Sequence, residues 1–425
     1  MSELTETLES ASVAASQKNY DEAEKKYYEA INATFDGEDQ VKRSKFLQDQ
    51  ETAILELGKV YQELAAADKL HDLVSNSRNV LGGFAKSKTA KIIKTLVEDF
   101  DTVSNAIDLQ IQTIKESIEW AVDNKLSFLR QQLQLKLSAK LYEKGSYQEG
   151  IKIITNLLRE YKKLDDKSSL VEVQLVESQI YHALRNIPKS RAALTSARTS
   201  ANSIYCPTLL QADLDCQSGI LNAEDKDYKT AFSYFYESFE GYNSQSDPRA
   251  ITLLKYMLLT KIMLNLIDDV NIILNNKNAV KYQSRDIDAM KAIASAYSNR
   301  SLKDFESALV TYSTELRSDP IIKNHFNALY DNLLEQNLLK IIESYSVVEL
   351  SHISKTIGLN IQQVEGKLSQ MILDKVFYGV LDQGNGWLII YDQPRTDTSY
   401  EASLDLIKNL SSVVDLLYEK ASSLN

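Results

Sequence analysis

The chain is poor in residues that break helices and in residues that form covalent or metal cross-links. Its 425 residues include only 13 glycines, 5 prolines, 2 cysteines and 4 histidines. So few turn-forming residues predict long helices. Two cysteines cannot staple a chain of this length, and their scarcity favours a reducing intracellular compartment.

The sequence also has no apolar run of the roughly 18 residues that a membrane-spanning helix requires. Its first residues are acidic and lack the pattern of a signal peptide, and its last four match no retention or lipidation signal. With 48 Lys and Arg against 59 Asp and Glu, the net charge is −11. That balance argues against general binding to nucleic acid or anionic membranes. We therefore expect a protein of the cytoplasm and nucleus with neither nucleic acid nor membrane among its partners.

Sequence signatures of catalysis are missing as well. The histidines lie far apart, and the chain contains no Cys-x-x-Cys, no His-Glu-x-x-His, no phosphate-binding glycine loop and no Gly-x-Ser-x-Gly elbow. Cys206 and Cys216 are interpreted as packing residues or free thiols. The sequence predicts no enzyme, no cofactor and no metal site; an active site assembled from distant residues is the alternative.

What the chain does contain is a recurring local pattern, in which a polar turn precedes an aromatic residue and a small residue follows three positions later. From Tyr147 the pattern recurs at Ile187, Tyr228, Ile267 and Phe305, in steps of 40, 41, 39 and 38 residues. A period near 40 is typical of an α-solenoid of helix pairs, related to tetratricopeptide repeats but longer than their roughly 34 residues. We interpret the small residues as helix crossings and the aromatic residues as core.

Residues 331–392 follow the order of a winged helix: helix, short extended bridge, helix, helix and hairpin. Apolar residues at 334, 338 and 342 define the first helix. Two β-rich segments, 376–381 and 387–391, flank Asp-Gln-Gly-Asn-Gly at 382–386, which suits a tight turn.

Capping signals set the expected helix ends in this region. Ser346 and Glu349 form a candidate capping box for the second helix, which is expected to stop at Gly358. Asn360 and Gln363 form a second candidate box, which opens the third helix.

The third helix, which reads DNA in many winged helices, carries little positive charge. Its expected exposed residues are Gln362, Gln363, Glu365, Lys367, Ser369, Gln370, Asp374 and Lys375. Their charges cancel, whereas affinity for nucleic acid comes largely from Lys and Arg. We therefore expect the winged helix to dock proteins, with DNA binding as the distant alternative.

A final amphipathic helix follows a short linker at 393–399. Ile407, Leu410, Val414, Leu417 and Ala421 are spaced by three and four residues, as in a helical seam. Leu406, Val413 and Leu416 add a second stripe. We expect this helix to join a bundle of helices from other chains; folding back on the solenoid is the alternative.

One basic cluster, the lysine cluster, consists of Lys86, Lys88, Lys91 and Lys94. It is interpreted either as a contact for an acidic partner surface or as a solvated helix face.

The fold class expected overall is an all-α solenoid of TPR-like helix pairs followed by a winged-helix (α+β) subdomain and a C-terminal helix. The expected domains are the solenoid at 1–225, a unit at 226–394 with helical repeats at 226–320 and a winged helix at 321–394, and the bundle helix at 395–425.

A helical-repeat array that runs into a winged helix resembles the PCI domain of the proteasome lid, the signalosome and a translation initiation factor. From about residue 100 onward the amino-acid sequence is similar to the sequences of the long-solenoid, non-ATPase subunits of the proteasome regulatory-particle lid. The segments that carry this resemblance are Ile-Glu-Trp-Ala at 118–121, Phe-Leu-Arg-Gln at 128–131, Leu-Val-Glu-Val-Gln-Leu at 170–175, Tyr-His-Ala-Leu-Arg-Asn at 181–186, and residues 192–201, 233–242, 255–265, 367–375 and 378–386.

The resemblance implies a non-catalytic scaffold for ubiquitin-dependent proteolysis, with three docking regions. The winged helix, through Tyr345, Val347, Phe377 and Tyr378, would meet other PCI subunits. The C-terminal helix, through Leu406, Ile407, Leu410, Val413, Val414 and Leu417, would join the lid helix bundle. The N-terminal solenoid, through the lysine cluster, would brace an ATPase subunit against a proteasome core α subunit. A PCI subunit of the signalosome or of an initiation factor is the nearer alternative.

Overall fold

Helices joined by short turns make up most of the chain. The computed structural model describes residues 3–17, 19–33, 40–80, 86–103, 106–282, 284–392 and 398–422. The chain divides into two compact units, Met1–Leu253 and Leu254–Asn425. Within the described ranges, no helix combines the length and the apolar character needed to cross a membrane.

The first unit is an array of antiparallel helices. They are α1 (Glu3–Ser16), α2 (Tyr20–Asn32), α3 (Gln40–Glu63), α4 (Ala67–Val80), α5 (Lys86–Asp99), a 3-10 helix (Phe100–Thr102), α6 (Ile107–Asp123), α7 (Ser127–Lys144), α8 (Tyr147–Leu164), α9 (Lys167–Ala183), α10 (Ile187–Asn202), α11 (Thr208–Glu224), α12 (Tyr228–Ser244) and the start of α13 (Ala250–Met263).

The second unit contains shorter helices, one long helix and a small sheet. Its elements after α13 are α14 (Ile267–Leu274), α15 (Lys277–Val280), α16 (Arg285–Asn299), α17 (Leu302–Thr311), α18 (Ser313–Ser318), α19 (Pro320–Ile342), β1 (Val347–Glu349), α20 (Leu350–Ile357), α21 (Ile361–Leu373), β2 (Tyr378–Asp382), β3 (Trp387–Tyr391) and α22 (Thr398–Ser422).

The repeated sequence pattern marks helix starts, as expected for a solenoid of helix pairs. The residue at the aromatic position is the first residue of α2, α8, α10, α12 and α14. α17 differs, because the side chain of Ser301 caps it by accepting from the backbone N–H of Asp304, so the helix begins before Phe305. The small or apolar residues three positions later are all buried: Ala23, Gly150, Ser190, Ala231, Val270 and Ala308. The predicted fold class is confirmed.

Several of these helices are followed by a residue in the left-handed backbone conformation, and these residues recur at regular intervals. Lys125, Gly145, Asp165 and Arg185 follow one another in steps of 20 residues, and all have positive φ. After each, the next backbone N–H reaches back to a carbonyl in the last helical turn, such as Leu126 N to Ala121 O at 2.9 Å. This bond satisfies a carbonyl that the helix end would otherwise leave unpaired.

A buried lysine links three helices of the second unit. Lys255 of α13 is only 6% exposed. Its Nζ lies 2.5 Å from Oδ2 of Asp319, at the N-cap position of α19, and 3.6 Å from Oδ1 of Asp286, in the first turn of α16. Carboxylates at helix N-termini are favourably placed in the helix dipole, and the ammonium between them compensates part of their combined negative charge.

The predicted winged-helix order is confirmed, and its sheet has the order β1-β3-β2 with antiparallel pairing throughout. Val348 pairs with Leu388, and Leu388 pairs with Leu381. Leu388 is fully buried and Val348 is 5% exposed, so this face of the sheet forms part of the core. The central strand is β3, which leaves β1 and β2 as the two edges of the sheet.

The capping box predicted at Ser346 and Glu349 was wrong. The box predicted at Asn360 and Gln363 was right only in the position of the N-cap residue. Residues after Ser346 form β1 instead of a helical turn, and Glu349 itself occupies the N-cap of α20. Asn360 does lie at the N-cap of α21, but its side chain makes no capping hydrogen bond. Gly358 ends α20 as predicted, in the left-handed region at φ +86°.

Candidate partner-docking surfaces

Across the described ranges, no three His, Cys, Asp or Glu side chains lie close enough together to hold a metal ion. Cys206 and Cys216 are half-buried free thiols, as predicted. Burial raises the pKa of Cys216 to about 12, which keeps this thiol protonated and poorly nucleophilic at neutral pH.

The C-terminal stripe, defined as Leu406, Ile407, Leu410, Val413, Val414 and Leu417, lies on α22 and is open to solvent. These six side chains are between 53% and 66% exposed. Every other described side chain from 399 to 422 is exposed too. Both the bundle and the alternative, in which this helix folds back on its own solenoid, stay predictions.

The apolar surface of α22 is broad. At about 100° per residue, the C-terminal stripe together with Leu404 and Leu416 covers more than half of the helix circumference. Asp405, Lys408, Asp415 and Glu419 occupy the remaining, polar side. The seam of a two-stranded coiled coil is narrower than this, whereas a helix in a bundle has a wider apolar face.

The four residues predicted for winged-helix docking lie at two different edges of the sheet. Tyr345 and Val347 adjoin edge strand β1 and are 46% and 50% exposed. Phe377 and Tyr378 are half-buried at the beginning of the other edge strand, β2. The ring of Tyr345 packs edge-on against His352, with ring centroids 6.1 Å apart. The structure therefore separates these residues into two pairs, with β3 between them.

Sequence reasoning named Val347 and Tyr378 but missed that they share the solvent-facing side of the sheet, called here the outer sheet face. Because side chains alternate along a strand and directly paired residues share a face, the register defines its members. They are Val347, Glu349, Tyr378, Val380, Asp382, Trp387, Ile389 and Tyr391. Trp387, Val380 and Tyr391 are 44%, 50% and 54% exposed. The available signal was that β3 is apolar at every position, so that both of its faces are apolar.

The third helix of the winged helix, α21, offers even fewer free cations than its sequence indicated. Lys367 was expected to be exposed, but its side chain is only 12% exposed and its Nζ lies 2.8 Å from Oε1 of Glu335 in α19. Glu365 accepts a hydrogen bond from the side chain of Gln383 in the hairpin turn. The remaining outward charges are those of Asp374 and Lys375, so this face lacks the phosphate-neutralising charge of a DNA-reading helix.

The lysine cluster lies on the exposed face of α5, opposite its buried Ile92, Ile93 and Leu96. All four lysines are exposed, but two have acidic neighbours. Lys88 Nζ lies 3.2 Å from Glu51 Oε2, and Lys94 Nζ lies 3.9 Å from Glu98 Oε1. Lys86 and Lys91 make no ion pair with any residue that the structure describes, so they carry the cluster's uncompensated charge.

Family models match three separate parts of the chain. The model described as the 26S proteasome regulatory subunit RPN6 N-terminal domain matches residues 4–144. The PCI domain matches residues 302–392, and the 26S proteasome subunit RPN6 C-terminal helix domain matches residues 396–422.

Full-length relatives agree with these matches. The 26S proteasome regulatory subunit RPN6 of Saccharomyces cerevisiae is 54% identical over 430 residues, covering 98% of either chain. The probable 26S proteasome regulatory subunit rpn6 of Schizosaccharomyces pombe is 51% identical, over 98% of this chain and 99% of its own. The 26S proteasome non-ATPase regulatory subunit 11 of Dictyostelium discoideum is 49% identical, over 88% and 91%. The chain belongs to the RPN6 family of 26S proteasome regulatory subunits.

Proposed function

We propose that this chain is a non-catalytic structural subunit of the proteasome regulatory-particle lid. In this role it scaffolds lid assembly and stabilises the attachment of the regulatory particle to the core for ubiquitin-dependent protein degradation. The observation that carries the proposal is α22, whose C-terminal stripe is exposed along its whole length. A contiguous apolar surface of this kind marks a protein interface, and membership of the RPN6 family supports the lid as the assembly that covers it.

The C-terminal stripe docks into a bundle of helices from other lid subunits. Because more than half of the circumference of α22 is apolar, one partner helix would leave part of that surface in water. Contact with at least two neighbouring helices buries all of it. The polar side, with Asp405 and Lys408, then faces solvent at the surface of the bundle.

The two edges of the winged-helix sheet dock other PCI subunits, one on each side. Edge strands present unpaired backbone N–H and C=O groups that can accept a strand from another chain. Tyr345 and Val347 flank the contact at β1, while Phe377 and Tyr378 flank the contact at β2. A subunit with two such edges can occupy an internal place in a row of winged helices.

The N-terminal solenoid braces an ATPase subunit against an α subunit of the proteolytic core. The lysine cluster, and above all Lys86 and Lys91, supplies the positive charge that binds an acidic surface on one of these partners.

We place the boundaries of the functional domains at 1–225, 226–394 and 395–425, and we place the protein in the cytoplasm and the nucleus.

Charge reversal at Lys86 and Lys91 is expected to weaken attachment of the regulatory particle to the core more than formation of the lid. Both side chains are exposed, so the double variant Lys86→Glu/Lys91→Glu leaves the fold intact and replaces attraction to an acidic surface by repulsion. The measurement is the ratio of core-bound to free regulatory particle on native gels at low and physiological salt. Lys281→Glu/Lys303→Glu, whose side chains are also exposed, is the matched control. Equal loss of lid formation and attachment contradicts this assignment.

The proposed function is tested by native purification of the tagged full-length chain, followed by size separation, mass spectrometry and a peptidase assay. We expect recovery in a very large particle that contains ATPase subunits and hydrolyses peptides. Recovery in a smaller PCI assembly without peptidase activity overturns the proposal in favour of a signalosome or initiation-factor subunit.

A further inference from the structure

The outer sheet face contains a tryptophan placed between two carboxylates. Trp387 of β3 pairs with Glu349 of β1 on one side and with Asp382 of β2 on the other. The neighbouring backbone bonds, Leu350 N to Gly386 O and Ile390 N to Ser346 O, make Glu349 and Trp387 a non-hydrogen-bonded pair. Side chains in such pairs are the closer ones in an antiparallel sheet. The indole therefore lies in one cross-strand row with an acid at each end.

Both acids keep acceptor capacity. Asp382 accepts from the backbone N–H groups of Gly384 and Asn385 and from the side-chain amide of Asn385. The Asn385 side chain, followed by its backbone N–H, lowers the pKa of Asp382, so that this carboxylate is charged throughout the neutral range. Glu349 is exposed and accepts one hydrogen bond, at 3.0 Å, from the hydroxyl of Ser351.

The next row on the same face is apolar. Val347, Ile389 and Val380 lie directly opposite one another across the three strands. Val347 and Val380 are each 50% exposed. Ile389 lies two residues from Trp387, which separates the two rows by about 7 Å along β3. A ligand with a cation and an adjoining apolar side chain can therefore occupy both rows at once.

We propose that the outer sheet face binds a segment of a neighbouring protein subunit that places an arginine on Trp387, between Glu349 and Asp382, with apolar side chains on the valine–isoleucine row. A guanidinium is flat, stacks on an indole face and can donate hydrogen bonds to carboxylates on two sides, which suits this row better than the compact charge of a lysine. The two carboxylates repel phosphate, so the same surface disfavours nucleic acid. This contact is additional to the strand edges, because it uses side chains on the face of the sheet and not the backbone at its rims.

The test is photo-crosslinking in the full-length chain, with p-benzoylphenylalanine replacing Val380 in cells where this is the only copy. The particle is purified through a tag, irradiated and digested, and the cross-linked peptide is identified by mass spectrometry. The same cross-linker is then combined with Glu349→Gln/Asp382→Asn. Both changes are isosteric, and the amide oxygen that replaces the carboxylate at position 382 still accepts from the turn amides. Glu343→Gln/Asp374→Asn, which removes the same charge from exposed positions elsewhere in the winged helix, is the control.

We expect a cross-link to another subunit, at a segment with an arginine within about three residues of the site of attachment. Removing both carboxylates should lower the yield roughly tenfold or more, as for the loss of a charge-assisted contact, and the control should not. The proposal is overturned if the cross-link joins Val380's position to this chain itself or to a segment without arginine. It is also overturned if the cross-linking yield is the same in the Glu349→Gln/Asp382→Asn variant as in the control variant.

This contact rests on the proposed function only in one respect, namely that the neighbouring subunit belongs to the proteasome regulatory particle. An assembled, peptidase-active particle without the cross-link rejects this contact alone, whereas failure to recover such a particle rejects the lid assignment.

Discussion

The substitution Leu410→Asp is expected to abolish incorporation of the chain into the regulatory particle while leaving the free chain folded. Leu410 lies in the middle of the C-terminal stripe and is 62% exposed, so the isolated chain loses no packing. In a bundle the same position is buried. Losing a buried leucine costs about 2–5 kcal/mol, and burying an unpaired carboxylate adds several more. Binding weakened by about 4 kcal/mol falls roughly a thousandfold.

The measurement is co-purification of the tagged variant with lid subunits, together with a thermal melt of the free chain. Ser412→Asp adds the same charge to the polar side of α22 and is expected to assemble normally. Leu410→Ala separates the two causes, because it removes the packing without adding charge and should give an intermediate defect. Normal assembly of Leu410→Asp would remove the bundle from the proposed function, since an aspartate at a buried bundle position could not be accommodated.

The second large effect is expected at Lys255, where Lys255→Met should destabilise the second unit by about 3 kcal/mol. Removing one member of a buried ion group costs about 3–5 kcal/mol, because the partners lose their neutralising charge. We take the low end since Asp286 and Asp319 are 32% and 21% exposed and water compensates them in part. Methionine preserves the apolar stem, so the loss reports the charge and not a cavity.

Urea unfolding followed by circular dichroism measures this difference. The control is Lys291→Met, whose partner Asp288 lies 3.4 Å away on the surface, with both side chains well exposed. Exposed pairs contribute about 0–1 kcal/mol, so this variant should unfold almost like the parent chain. A triple variant that also carries Asp286→Asn and Asp319→Asn should recover part of the loss at Lys255. If both lysine variants behave alike, the buried triad does not hold α13, α16 and α19 together.

The sequence was most informative where one physical requirement dominates. A small residue is needed wherever two helix backbones approach, so the pattern around Tyr147, Tyr228 and their equivalents located the helix starts and the crossing residues together. The hairpin turn at 382–386 was equally predictable, because few residues other than Gly, Asn and Asp tolerate its conformation.

Prediction failed where a distant segment competes with a local preference. Ser346 and Glu349 have the spacing of a capping box, but the residues between them pair with β3, and this tertiary pairing outweighs a local cap. Lys367 has the sequence position of an exposed cation, but the acceptor that turns it inward, Glu335, is 32 positions away in the sequence. The outer sheet face was missed for a similar reason, since it exists only once three strands from two segments share a register.

The exposed stripe on α22 also affects the fate of a newly made chain that is not yet assembled with partner subunits. Such a copy presents a long row of aliphatic side chains to water, the kind of surface that chaperones and quality-control proteases recognise. If partner helices bury that row, as proposed, its burial would mark a completed assembly. We therefore expect surplus copies, in which α22 stays uncovered, to be degraded faster than assembled ones.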